Sequence, residues 1–435
     1  MTGTHGSTLW ARWARDARAL VLASSALAGC ETPAPPTDAA RPDAAVVDTG
    51  PRDAWANDTN VTPGSTWCSV GTPVPEAMLP AGYCARIFSA SSDGVLSHSP
   101  MREPRGLAFA SNGDLFVSAP SMPTPGGASG GQGAILVLTD DDRDGTAEIH
   151  TFLGGVPDVH GLVVEADAIY FTTTSAVMRV AYAVGDRAAT GTPEMVSTIP
   201  SPGRWTHGLA RTASGTTYVS NGVVVATCPT ADVGYVAELG SGEPTMLARG
   251  LRNPMFMRCH PEADLCLVAE MGDDGGASYG AREKLFVLRP GTDYGYPCCA
   301  GPDLPATPSA SCGAVTEEEI VIPLGNSPFG FDWEPGLWEG SMRGVLCIAQ
   351  HGSFYSSPPW VGEGVYCTPT DPTTHVPTDG FTMFFGGFGT QNASVARMLR
   401  PADVRFSPDG RMFVADDNGD AIYWVAPEGL PRQAP

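Results

Sequence analysis

Between Gly250 and Pro297 the chain reads GLRNPMFMRCHPEADLCLVAEMGDDGGASYGAREKLFVLRPGTDYGYP. A guanidinium and a carboxamide, Arg252 and Asn253, stand side by side ahead of Pro254, where a strand has just ended and side chains are free to converge. Three carboxylates, Glu270, Asp273 and Asp274, follow the apolar run from Leu265 to Ala269, among glycines that let backbone carbonyls turn toward a cation. Cation, amide and carbonyl oxygens in two neighbouring loops make a donor set for an anionic, metal-bound cofactor. The same residues also suit a polar turn between strands.

A second acidic signal is Asp140, Asp142, Asp144 and Gly145, the alternation of a Ca²⁺ loop with oxygens at positions one, three and five and a glycine for the sharp turn. Position twelve is Thr151 and supplies no bidentate carboxylate, so a solvated hairpin turn is the competing reading. The string from Gly127 to Gly131, GASGG, matches a serine-hydrolase elbow. It lies in a Pro/Gly-rich loop with no helix after it, which excludes that chemistry.

These groups need a scaffold, and the chain offers short β-branched and aromatic runs bounded by Gly, Pro, Asn and Asp from Trp67 onward. One unit recurs: GLAFASNGDLFVSAP (Gly106 to Pro120), GLVVEADAIYFTTT (Gly161 to Thr174), GLARTASGTTYVSNG (Gly208 to Gly222) and MRCHPEADLCLVAEMG (Met257 to Gly272). A degenerate copy runs from Gly340 to Gly352, and VRFSPDGRMFVADDNG (Val404 to Gly419) is the sixth. Each is too short to bury a core alone, so the expectation is an all-β, six-bladed β-propeller over residues 67–430. The strand from Gly82 to Ala90 would complete the last blade and close the ring.

Ahead of the repeats, Arg12, Arg15 and Arg18 precede an apolar run from Ala19 to Leu27 and the small residues of Leu27-Ala28-Gly29-Cys30. Residues 1–30 therefore read as a lipoprotein signal peptide ending at a lipidated Cys30, and residues 31–66, rich in Pro, Ala, Asp and Thr, as a disordered tether. The implied location is exported and lipid-anchored, on the periplasmic face of the outer membrane or the cell surface. Of 11 cysteines, setting Cys30 aside leaves an even number, which in an exported chain implies disulfides. Local pairs are Cys68 with Cys84, Cys259 with Cys266 and Cys347 with Cys367, leaving Cys228, Cys298, Cys299 and Cys312. A net charge of −22 excludes nucleic acid as a partner.

With repeats and motifs in place, the chain resembles the pyrroloquinoline-quinone-dependent glucose/sorbosone dehydrogenase family, its sorbosone-type branch in particular. The resemblance runs from about Leu79 to Val425 through PRGLAFASNGDLFV, DDDRDG, GRWTHGL, GLRNP, PGTDYGYP, AQHGS and RPADVRFSPDG, in the family's order. It implies pyrroloquinoline quinone (PQQ) and Ca²⁺ as cofactors at the central mouth. Arg252 and Asn253 would contact the quinone, and backbone carbonyls at Gly272 and Asp273 would hold the metal. It also implies a sugar substrate whose proton passes to a histidine.

The family's histidine position, five residues before the strand-opening leucine, is Arg204 here, with His207 beside it. Arginine is no base near neutral pH, so His207, Arg204 and His351 are the catalytic candidates. Arg400 is a cofactor candidate in a motif where Ala402 fills the place of a second arginine. His351-Gly352-Ser353 lacks the branch's following Asn-Arg pair. No haem-attachment motif occurs, so electrons would go to a separate acceptor such as a cytochrome, from a monomer. The alternative is a non-catalytic propeller that binds a glycan or a protein partner at its mouth.

Overall fold

A computed structural model describes residues 64–432, apart from 75–76, 90–100, 121–132, 201–202, 225, 230–232, 241–243, 273–281, 303, 308–309, 317–319, 353–360 and 387–398. The signal peptide, Cys30, nearly all of the tether, the GASGG string, Asp273, Asp274 and Ser353 lie outside the described residues.

The chain enters through β1 (Thr72–Pro73) and β2 (Tyr83–Ser89). Blade one follows as β3 (Leu107–Phe109), β4 (Leu115–Ala119), β5 (Ala134–Thr139) and β6 (Glu148–Gly154). Blade two is β7 (Leu162–Val164), β8 (Ala168–Thr172), β9 (Ala176–Ala181) and β10 (Glu194–Thr198). Blade three is β11 (Leu209–Arg211), β12 (Thr217–Asn221), β13 (Gly234–Glu238) and β14 (Thr245–Leu251). Blade four is β15 (Asn253–Cys259), β16 (Cys266–Met271), β17 (Glu283–Val287) and, after the short β18 (Thr292–Asp293) that pairs back onto β14, β19 (Ile320–Ile322). Blade five is β20 (Pro328–Trp333), β21 (Leu346–Gln350), β22 (Gly364–Thr368) and β23 (Thr382–Gly386). Blade six takes β24 (Pro401–Phe406), β25 (Met412–Asp416) and β26 (Ala421–Pro427), and its sheet order β1-β2-β26-β25-β24 shows that the entering strands complete it. The expected six-bladed ring therefore forms, and the segment beginning at Gly82 closes it.

Second and third strands such as β4 and β5 are buried along their whole length because neighbouring blades cover both faces, which is why they read LFVSA and AILVLT rather than alternating. The degenerate fifth repeat needs correcting. Gly340 to Gly352 contains only a short turn and β21, while the inner strand β20, PFGFDW, lies upstream. A twelve-residue link replaces the tight hairpin, and the buried Glu334 carboxylate organises it by accepting the backbone N–H groups of Gly336, Leu337, Trp338 and Gly344 at 2.6 to 2.9 Å. The three local disulfides expected from spacing form, and the remaining cysteines pair as Cys228–Cys298 and Cys299–Cys312.

One device ties blades one to four together around the axis. Ser118 Oγ accepts the N–H of Gly106 at 2.8 Å and donates to the carbonyl of His160 on the next blade at 2.7 Å. Thr172 Oγ1 accepts from Gly161 at 2.8 Å and donates to His207 O at 3.0 Å. Ser220 Oγ accepts from Gly208 at 2.8 Å and donates to Pro254 O. The glycines are required by proximity, since a Cβ at Gly106 would stand 2.6 Å from His160 O and one at Gly161 2.7 Å from His207 O.

Candidate active site at the propeller mouth

Residues preceding the inner strands and residues following the second strands gather at one end of the ring, because hairpin partners run antiparallel. Arg105, His160, His207, Arg252 and Arg400 arrive from the first group, and Gly272, His351 and Asp417 from the second. All the mouth candidates except Asp273 are therefore described, and they do not play equal parts.

His207 is fully buried, its Nδ1 lying 3.0 Å from Ser220 O and its Nε2 3.1 Å from Thr174 O. Both nitrogens face carbonyl acceptors, so neither is open to a substrate, and burial lowers its pKa against the upward pull of those two carbonyls. Arg204 spends its guanidinium on the carbonyls of Val223 and Val224, at 3.0 and 3.3 Å. The geometry gives both residues structural work: Arg204 folds back onto its own blade-three loop, and His207 bridges that blade to the Thr174 carbonyl of blade two.

His351 lies in a buried chain of charge. Its Nε2 is 2.7 Å from Asp417, whose other partner is Arg105 at 2.9 Å, and its Nδ1 receives Arg400 Nη2 at 3.0 Å. A guanidinium can only donate, so Nδ1 carries the lone pair and Nε2 the proton. Burial, together with Arg400 and Arg105, holds His351 down to about 4, against the pull of Asp417. Burial alone would raise Asp417, yet Arg105, His351 and Arg400 hold it well below the usual carboxylate range. Phe329 stacks on the His351 ring at 4.0 Å with planes 6° apart, and Arg105 lies 5.7 Å from the Phe329 centroid and 6.0 Å from Trp205. His351 thus fixes Arg400, which also reaches Gly352 O at 3.3 Å.

His160 was not singled out from sequence. Its Nδ1 is 3.1 Å from His207 O, so Nδ1 carries the proton. Its Nε2 is buried with no partner among the described residues, which leaves it the one histidine of the three whose lone pair is uncommitted. Burial, with Arg105 nearby, holds it neutral, at about 3. Phe256 and the half-buried Trp205 lie against the ring at 4.9 and 5.8 Å. The signal was in the repeat phase: Arg105, His160 and His207 each stand immediately before the Gly-Leu that opens a blade. Asp417 occupies the same second-strand phase as His351.

Arg252 is buried, its N–H bonded to Glu270 at 2.6 Å and its guanidinium to Gly272 O. Asn253, also buried, reaches Met271 Sδ at 3.6 Å through Nδ2, while its Oδ1 has no partner among the described residues. Two buried arginines and an orphaned amide oxygen at one mouth suit a planar polyanion such as PQQ. Calcium at Gly272 does not fit, since a cation on that carbonyl would face the Arg252 guanidinium. The Asp140, Asp142 and Asp144 turn places its carboxylate oxygens within 4.8 Å of one another. It lies at the far end of blade one between β5 and β6, where Asp140 pairs with Arg411 at 3.0 Å, so it takes no part in the mouth.

No protein-family model matches the sequence, and no curated protein matches it. The fold is a six-bladed propeller, an architecture shared with solved structures named as PQQ sugar dehydrogenases. The structure is similar to the calcium structure of a Trichoderma reesei carbohydrate-active enzyme of family AA12, with a TM-score of 0.66, 18% identity, and 82% of this chain and 98% of that one covered. It is similar to the holo PQQ domain of pyranose dehydrogenase from Coprinopsis cinerea, at 0.63 and 14%, covering 81% and 98%. PQQ-bound aldose sugar dehydrogenase from Streptomyces coelicolor aligns at 0.55 and 16%, covering 80% and 100%. The likeness expected from the motifs is thus met at the level of the fold.

Proposed function

We propose that this chain is a quinoprotein dehydrogenase acting on a sugar or a sugar-derived alcohol or aldehyde, with PQQ bound at the mouth. The carrying observation is the convergence there of two buried arginines, Arg252 and Arg400, with Asn253 and a neutral histidine, His160, whose Nε2 lone pair is uncommitted. Bound PQQ supplies a two-electron acceptor. Arg252 and Arg400 would hold its carboxylates, with Arg400 kept in place by His351 and Asp417. His160 takes the proton of the substrate hydroxyl, its tautomer fixed by the His207 carbonyl. Trp205, edging onto His160, is the side chain a substrate would displace.

In this reading a separate protein, such as a cytochrome, takes the electrons, and the chain is exported and anchored through Cys30. Calcium belongs to the reading through the acidic turn of blade one.

The test is titration of the purified protein with PQQ, with and without Ca²⁺, followed by dye reduction over a sugar panel. Saturable PQQ binding with sugar-dependent reduction is expected, and His160→Asn should keep the binding and lose at least a hundredfold in turnover. Absence of both binding and turnover would favour the alternative, a propeller that binds a glycan or protein partner. That alternative draws on the guanidinia of Arg252 and Arg400 already touching the chain's own carbonyls.

A further inference from the structure

The backbone that carries Arg252 and Asn253 is held from both sides. The Arg252 N–H donates to Glu270 Oε1 at 2.6 Å, and the Arg252 carbonyl accepts the N–H of Val223 at 2.8 Å. Val223 lies in the segment that leaves β12 at the mouth end of blade three. Its neighbour Gly222 lies so close to the pair that a Cβ there would stand 2.7 Å from Asn253 Oδ1 and 3.0 Å from Arg252 O. Only bare backbone can pack against the two residues at this point.

Arg204 is what aims the Val223 N–H. Its own N–H donates at 3.0 Å to Gly222 O, which belongs to the same peptide unit as the Val223 N–H. Its guanidinium donates through Nε to Val223 O at 3.0 Å and through Nη2 to Val224 O at 3.3 Å. Three successive carbonyls are thus tied to one residue, and both peptide planes flanking Val223 are fixed. A neutral imidazole carries a single N–H and could not serve two carbonyls, so Arg204 does what the histidine expected at this position could not. Further along, the Ala226 N–H donates to the Tyr296 hydroxyl at 3.2 Å, and Cys228 is bonded to Cys298. The Tyr296 N–H in turn donates to Gly250 O at 2.8 Å, two residues before Arg252. The segment is therefore anchored at its far end without Arg204, whose hold is confined to residues 222–224.

We propose that Arg204 is a positioning residue for the anion-binding edge of the mouth. By setting the peptide planes around Val223 it fixes the Arg252 carbonyl, and with it the backbone from which the Arg252 guanidinium and the Asn253 amide reach a bound cofactor. Holding that edge in advance removes part of the cost of ordering it when the ligand arrives. The inference rests on the reading of the mouth as a PQQ site and adds to it a residue that touches no ligand.

Arg204→Met, which has no donor, and Arg204→Lys, which keeps a charged donor for one carbonyl, test it in the purified protein. The measurements are amide hydrogen exchange at Val223 and Arg252 without ligand, melting temperature, and PQQ affinity from fluorescence quenching. Arg204→Met should speed exchange at both amides and weaken PQQ binding by about tenfold, while the melting temperature falls by no more than a few degrees. Arg204→Lys should recover part of both losses. Unchanged exchange at Val223, or unchanged PQQ affinity beside a lowered melting temperature, would overturn the proposal by reducing Arg204 to a structural contact. A wild-type protein that takes up no PQQ would sink the reading of the mouth, and the proposal with it only if Val223 and Arg252 exchange alike in all three proteins.

Discussion

At the mouth, Asp416 and Asp417 are adjacent carboxylates driven in opposite directions. Asp417 faces Arg105 and His351, whereas Asp416 accepts the backbone N–H groups of Arg400, Asn418 and Gly419, each at 3.1 Å, and pairs with no cation among the described residues. Burial, reinforced by the charge of Asp417, pushes Asp416 up to about 7 from an ordinary 3.8. A folded value above the unfolded one means that the folded state binds the extra proton between those two pH values. This contribution to stability is therefore present below about pH 4 and is lost as pH rises to about 7. His160 and His351, held neutral by burial, act in the opposite sense and weaken the fold as pH drops below 6.5. Asn at position 416 keeps the acceptor for all three N–H groups and cannot ionise. Asp416→Asn should therefore stabilise the protein at pH 8 by roughly 2–4 kcal/mol and change it little at pH 4. Urea midpoints at the two pH values check this, and equal shifts at both would contradict it.

The hydroxyl latches on the second strands are where blade geometry becomes site geometry. Ser118 holds the His160 carbonyl, and Thr172 holds that of His207, which in turn fixes the His160 ring through Nδ1. Thr172→Val preserves shape, strands the Gly161 N–H and leaves the His207 carbonyl with His160 Nδ1 as its remaining side-chain donor. A loss of about 1–3 kcal/mol is expected, with a larger effect on turnover than Val would produce at a surface strand; unfolding and dye-reduction assays read the two effects separately. Much of this scaffold was legible in the sequence. The Gly-Leu openings and turn residues set the blade count, the ring closure and the local disulfides, because hairpins are written in contiguous residues. The inner strand of blade five was not, since Glu334 replaces the usual turn with a link that breaks the repeat. His160 was missed for a different reason. A histidine before a Gly-Leu looks the same whether its ring faces two carbonyls, as at His207, or one, as at His160. Only the latch across the blade boundary distinguishes them.

For the molecule as a whole the vulnerable place is the seam where the first and last segments of the propeller meet. The β2–β26 pairing is anchored there by Trp67, fully buried, whose N–H donates to Leu430 O at 3.0 Å. The Arg411 guanidinium lies 3.5 Å from the Trp67 ring centroid while pairing with Asp409 at 2.9 Å and with Asp140 at 3.0 Å. A turn of blade six is thereby held against the acidic turn of blade one, with the aromatic ring of the entering chain between them and Trp424 edge-on at 6.0 Å. The arrangement gives Asp140 a structural role that holds with or without a metal on the turn. Removing the indole leaves a cavity under a buried cation, so Trp67→Ala should cost about 3–5 kcal/mol, visible as a fall of several degrees in melting temperature. Because an opened ring exposes the edges of β2 and β26, proteolysis of the variant should begin at these terminal strands. Cleavage starting instead in the middle blades would show that the seam does not limit the stability of the ring.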